Sequence, residues 1–167
     1  MTTILQPIPM VDLKTQYLRI QPEIDQAIQQ VLQSTQFIGG GVVQSFAERF
    51  GEYLGVNHTI PCANGTDALQ VALMACELQP GDEVITTPFT FVSTAEVIAL
   101  LRLKPVFVDI NPDTYQIDET LLEAAIGPKT KCIIPVHLFG QMANMAPIME
   151  LAEQHGLWVI DLISIGI

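Results

Sequence analysis

From His58 onward, short runs rich in β-branched residues alternate with segments patterned for helices, and this alternation constrains the fold more than any other feature. His58-Thr-Ile-Pro-Cys-Ala63, Glu83-Val-Ile-Thr-Thr87, Pro105-Val-Phe-Val-Asp-Ile110, Cys132-Ile-Ile-Pro-Val-His137 and Trp158-Val-Ile-Asp-Leu-Ile163 read as strands. Between them, Ala68 to Leu78, Ser93 to Leu101, Glu119 to Ile126 (opened by Asp118) and Met145 to Gln154 read as helices. Strands and helices in strict turn require crossover connections, hence an α/β fold in three layers, a mostly parallel sheet with helices on both faces. Ligands of such sheets bind beyond the carboxyl ends of the strands, so the residues that follow each strand are the candidates for chemistry.

Residues 1–57 read differently, as a helical segment preceding the α/β domain of residues 58–167. Ile24, Ile28, Val31 and Leu32 fall on one face of a first helix, which Phe37-Ile-Gly-Gly-Gly41 ends. Val43, Phe46, Ala47, Phe50, Tyr53 and Leu54 form the apolar side of a second, with Gly55 at its stop.

Composition narrows the function classes. Charged residues make up only 15% of the chain while apolar ones reach 49%, and the mean hydropathy is +0.38. So little polar surface implies an oligomer, or a surface normally covered by further sequence. The net charge is −11, and the seven basic residues (Lys14, Arg19, Arg49, Arg102, Lys104, Lys129, Lys131) stand singly. They form no stripe for nucleic acid or anionic lipid. No apolar run approaches the ~20 residues that cross a bilayer, and the first residues lack the pattern of a secretory leader, so a cytoplasmic protein is expected. Cys62, Cys76 and Cys132 lie in apolar segments without Cys-x-x-Cys spacing, as small core residues rather than metal ligands or a disulfide framework.

Four places carry candidate chemistry. In Ala63-Asn64-Gly65-Thr66-Asp67-Ala68, small residues lead straight into a helix, where free backbone N–H groups and the Thr66 hydroxyl would meet an anion such as a phosphate. The helix dipole contributes roughly 0.3 to 2 kcal/mol there. An ordinary Asn/Thr helix cap explains the same residues equally well. Neither Gly-x-Gly-x-x-Gly nor Gly-Lys-Ser/Thr occurs, which disfavours a dinucleotide fold and a P-loop. Phe89 and Phe91 follow the second expected strand, either as rings on which a flat cofactor stacks or as core residues of the turn. His137 ends the fourth strand on the same edge, lining the site or satisfying backbone groups. Asp161 sits within the last strand, where a buried carboxylate requires a cationic partner.

Six short motifs in register carry a resemblance: Phe37-Ile-Gly-Gly, Asn64-Gly-Thr-Asp-Ala-Leu, Gly81-Asp-Glu-Val-Ile, Phe89-Thr-Phe-Val-Ser-Thr, Pro105-Val-Phe-Val-Asp and Ile134-Pro-Val-His-Leu-Phe-Gly-Gln. From about Ile8 to Ile160 the chain resembles the DegT/DnrJ/EryC1/StrS sugar aminotransferases, fold-type-I pyridoxal-phosphate enzymes that aminate nucleotide-linked keto-sugars and some cyclitols. The resemblance implies the large domain of that fold, a homodimer in the full-length form, an amino-acid donor and a keto-sugar acceptor. It also implies that Gly65 and Thr66 hold the phosphate of pyridoxal 5'-phosphate and that Phe91 stacks on its ring, with His137 close by.

The family places a Glu-Asp pair after a Val-Ile strand, and the Asp keeps the pyridine nitrogen protonated. At about 4 Å and an effective dielectric near 20 that attraction is on the order of 4 kcal/mol, roughly three pK units. Here the sequence departs, reading Asp161-Leu162-Ile163-Ser164 after Val159-Ile160. Without a gap, Leu162 stands at the functional position; Asp161 takes the role only if a residue has been lost before it. The Schiff-base lysine has no counterpart either, since no lysine follows Lys131. The resemblance therefore implies the N-terminal part of a C-terminally truncated enzyme, with no catalytic residue of its own and no turnover alone. The alternative is a non-catalytic cofactor-binding or interaction module derived from such an enzyme.

Overall fold

A computed structural model describes residues 11–164 of the chain, which fall into two compact units divided after Pro61. The first unit is helical. Helix α1 (Leu13–Ser34) opens on Asp12, whose carboxylate accepts the Thr15 N–H, and leaves helical geometry at Ile20, two residues before Pro22. A proline inside a helix clashes with the preceding turn, which accounts for the kink. Helix α2 (Gly41–Leu54) ends, as its sequence implies, on Gly55 in the left-handed conformation with φ +67°. The apolar faces are where the periodicity places them, but they are not covered: within the unit α1 buries no residue and α2 only Gly51.

The strand expected at His58 to Ala63 does not form. Pro61 has no N–H to give a ladder and restricts Ile60 before it, so β-branched content here is outweighed by a missing donor. Thr59 instead packs on α2, its hydroxyl lying only 2.9 Å from where a Cβ at Gly51 would stand.

The second unit carries the sheet. Strands β1 (Glu83–Thr86), β2 (Lys104–Phe107), β3 (Thr130–Ile133) and β5 (Trp158–Val159) lie in the order β2-β1-β3-β5, all parallel. A two-stranded extension pairs β4 (Val136–Leu138) with β6 (Leu162–Ser164), again parallel. The expected strands at Cys132 to His137 and Trp158 to Ile163 are thus each interrupted. Pro135 supplies no N–H, but Ile134 donates to Ile85, Ile160 to Ile133 and Leu162 to the Pro135 carbonyl, so the chain keeps its course across the gap. The expected strand at Pro105 to Ile110 starts at Lys104 and stops at Phe107, with Ile110 making a lone antiparallel bridge to Ile117.

Alternation along these strands divides the core into two layers. Val84, Cys132 and Ile134 face helices α3 (Gly65–Ala75) and α4 (Ser93–Leu100), meeting Leu69, Leu73, Val97 and Ile98. Ile85 and Ile133 face the other way, onto Val108, Ile117, Leu122, Ala143 and Ile148. The last two groups belong to α5 (Leu122–Ala125), preceded by a 3-10 turn capped by Asp118, and to α6 (Met145–His155) with its lead-in. Helices on both faces of a parallel sheet are what the alternating sequence requires. At the opposite end from the ligand edge, Lys104 pairs with Glu83 at 2.8 Å, and that hydrogen bond holds the Glu83 carboxyl below its ordinary range.

Candidate functional site

The connection from α3 to β1 is only seven residues, 76–82, so α3 runs back along the sheet and its N-terminus lies at the carboxyl edge of the strands. Asn64 caps it from an extended conformation, its side-chain oxygen accepting the Asp67 N–H at 2.9 Å and its amide donating to the Asp67 carboxylate at 3.1 Å. This reciprocal cap satisfies only one of the orphan donors of the first turn. Among the described residues, no acceptor takes the N–H of Gly65 or of Thr66, and the Thr66 hydroxyl has no partner. The cap and the anion cradle are therefore compatible rather than alternatives. Asn64 orders the turn that leaves the other donors free.

At the end of β1, Thr86 is fully buried and donates to the Ile134 carbonyl, while the Thr87 hydroxyl accepts the Phe89 N–H and turns the chain. Neither aromatic ring after it is a core residue. Phe89 is 44% exposed and leans on Tyr115 with ring centroids 6.0 Å apart; Phe91 is 67% exposed. An aromatic surface at a sheet's carboxyl edge is open to a flat ligand group.

His137 and Asp161 are brought together. His137 is buried in β4, where its Nδ1 accepts the Ala143 N–H at 3.1 Å, so the ring proton sits on Nε2. Nε2 faces Asp161 Oδ1 at 3.9 Å, beyond hydrogen-bond length. The expectation of a buried Asp161 is corrected: its side chain is 55% exposed, since the strand breaks at this residue and water solvates the carboxylate. Its neighbour Leu162 packs against the core layer that contains Leu69, one turn into α3.

Gln116 escaped sequence reasoning. It is buried, its side-chain oxygen accepts the Leu138 N–H at 3.3 Å, and its amide donates to the Leu138 carbonyl at 3.4 Å. A side chain thus supplies both bonds that a further strand would give beside β4. The only local signal is a polar residue between Tyr115 and Ile117, which does not distinguish a buried amide from a surface one. Both residues flanking this link, Tyr115 and Phe139, adopt left-handed backbone conformations at φ +60° and +56°.

Residues 18–161 match the DegT/DnrJ/EryC1/StrS aminotransferase family. The chain belongs to this family. It is 51% identical over 154 residues to the UDP-2-acetamido-2-deoxy-3-oxo-D-glucuronate aminotransferase of Pseudomonas aeruginosa, covering 92% of this chain and 43% of that relative. Against the UDP-N-acetyl-3-dehydro-alpha-D-glucosamine 3-aminotransferase of Acidithiobacillus ferrooxidans the identity is 46%, over 92% and 42% of the two chains. Among solved structures, DesV of S. venezuelae in complex with a ketimine intermediate superposes with a TM-score of 0.91 at 35% identity, over 94% of this chain and 42% of that one. NtdA of Bacillus subtilis with bound cofactor PMP gives 0.87 at 32% identity, over 94% and 36%. The chain thus spans 43% or less of the length of these relatives.

Pyridoxal phosphate is the cofactor of this family, and the residues present fit one end of it. Two uncommitted N–H groups and a hydroxyl at Gly65 and Thr66 suit a phosphate, and Phe91 offers an exposed ring. For the ring nitrogen the candidate carboxylate is Asp161, which faces His137, and the residue after it, Leu162, carries no charge or lone pair.

Proposed function

We propose that this chain forms the cofactor-phosphate part of a pyridoxal-phosphate-dependent aminotransferase that moves an amino group from an amino acid to a nucleotide-linked keto-sugar. The observation that carries the reading is the first turn of α3, where the Asn64 cap leaves the Gly65 and Thr66 N–H groups and the Thr66 hydroxyl unpaired at the ligand edge. Phe91 takes the stacking position, and His137 lines the edge beside them. The two relatives at 51% and 46% identity bear the names of enzymes for UDP-linked, N-acetylated 3-keto-sugars, and that class is the acceptor we assign to the whole enzyme. The bound cofactor would supply an electron sink; what these residues supply is its anchorage and orientation.

Within the 167 residues no lysine follows Lys131, so the segment by itself holds the cofactor without a covalent anchor and does not turn over. The full-length form acts as a cytoplasmic homodimer, in keeping with the large apolar surface on both units. A second reading, a non-catalytic cofactor-binding or interaction module, is favoured by one observation, the uncharged Leu162 that follows Asp161 in the sequence.

Equilibrium binding of pyridoxamine 5'-phosphate tests the anchorage. Thr66→Val should weaken it about tenfold or less, the scale of one lost hydrogen bond to a charged group, and inorganic phosphate should compete. Binding that ignores both phosphate and the Thr66 change would remove the proposed site. Incubation with pyridoxal 5'-phosphate, glutamate and borohydride tests the rest, since amino transfer by the 167 residues would refute their inactivity.

A further inference from the structure

We infer that Asp161 serves His137 rather than a cofactor ring, and that the position facing the α3 side of the sheet edge is filled by Leu162, so this chain recognises its cofactor by the phosphate without a carboxylate at the ring nitrogen. The inference rests on the proposed cofactor site.

Register carries it. Cys132 pairs with Trp158, Ile133 with Val159, Val136 with Leu162, His137 with Ile163 and Leu138 with Ser164, so partners differ by the same 26 positions on both sides of the interruption. No bulge separates β5 from β6 relative to the neighbouring strands. Asp161 and Leu162 therefore keep opposite faces of the extended chain, since a shift by one would turn every side chain to the other face.

Facing agrees with register. Ile160 and Leu162 both pack on the layer formed with α3 and α4, and Asp161 between them points to the opposite side, as alternate residues of an extended chain must. That opposite side is the side of His137, whose register partner is Ile163. The imidazole has no freedom to look elsewhere. Its Nδ1 is committed to the Ala143 N–H, which leaves Nε2 on the side of the Asp161 carboxylate, 3.9 Å away. Asp161 is thereby a positioning residue, orienting a histidine that also holds the turn from Leu138 to Ala143.

The test uses the 167-residue chain with two ligands, pyridoxamine 5'-phosphate and inorganic phosphate, followed by calorimetry. Asp161→Asn should leave both affinities within about twofold and displace the His137 side-chain nitrogen resonances. Leu162→Asp should tighten pyridoxamine 5'-phosphate by about tenfold or more, given the strength of a carboxylate-pyridinium attraction, and leave inorganic phosphate unchanged. A tenfold loss of pyridoxamine 5'-phosphate binding in Asp161→Asn would overturn the inference. So would a folded Leu162→Asp chain with unaltered affinity. Should that variant fail to fold, the nitrogen resonance of ring-labelled pyridoxamine 5'-phosphate on the unaltered chain decides: an unprotonated ring supports the inference, a protonated ring refutes it. If neither ligand binds the unaltered chain, the proposed cofactor site fails, and the His137 resonances in Asp161→Asn still judge the pairing: displaced, it stands; unmoved, it falls.

Discussion

The two units use comparable apolar sequence to opposite effect. In the helical unit Ile28, Leu32, Phe46 and Phe50 remain between 41% and 56% exposed, and the rings of α2 stack along their own helix, Phe46 on Phe50 at 5.4 Å and Phe50 on Tyr53 at 6.4 Å between centroids. In the sheet unit Leu73, Ile85, Ile98, Ile133 and Ile148 are at or below 1% exposure. Amphipathic periodicity names the face that can be buried; it does not provide the layer that buries it. The parallel sheet provides that layer twice over, because each strand sends alternate residues to helices on either side.

This contrast is open to direct attack. Ile133→Ala removes a fully buried side chain from the central strand and should lower stability by about 2–5 kcal/mol, read from urea denaturation. Alkaline pH should strike the opposite layer through Cys132, whose thiol burial pushes from 9.0 up to about 12, with the nearby Cys76 adding to the shift. The folded chain keeps that thiol neutral while the unfolded chain ionises it. Its contribution is complete below about pH 9 and lost as the pH climbs toward 12, and Cys132→Ala should flatten that part of the stability-versus-pH curve.

Gln116→Leu strips the Leu138 N–H of its acceptor, while the Leu138 carbonyl keeps the Gln141 N–H, and should cost about 1–3 kcal/mol, with faster amide exchange at Leu138 as the specific signature. In the helical unit Ile28→Ser should change stability by only about 0.5 kcal/mol or less. A loss of several kcal/mol there would show that α1 has a packing partner in solution and that the two units differ less than their burial indicates.

Much of the architecture was legible residue by residue. Gly55 stops α2, Asp118 opens the 3-10 turn, Asn64 caps α3, and the helical periods fall within a few residues of their observed limits, α1 excepted, which begins well before Ile24. Two of the misreadings share a cause. At His58 to Ala63 and at Cys132 to His137, β-branched residues promised unbroken strands, and a proline in each withheld the N–H that a ladder needs.

For the candidate site, the sequence by itself determined the local chemistry: a turn of small residues with spare donors at Gly65 and Thr66, an aromatic pair after β1, and a lone acid beside a leucine. Those properties reside in a few consecutive residues. Only the tertiary structure decided that Asp161 meets His137, that Leu162 turns toward α3, and that Gln116 completes the edge of β4. Each of these depends on which face a strand presents and in what register it pairs, and both are set by burial against residues 22 or more positions away.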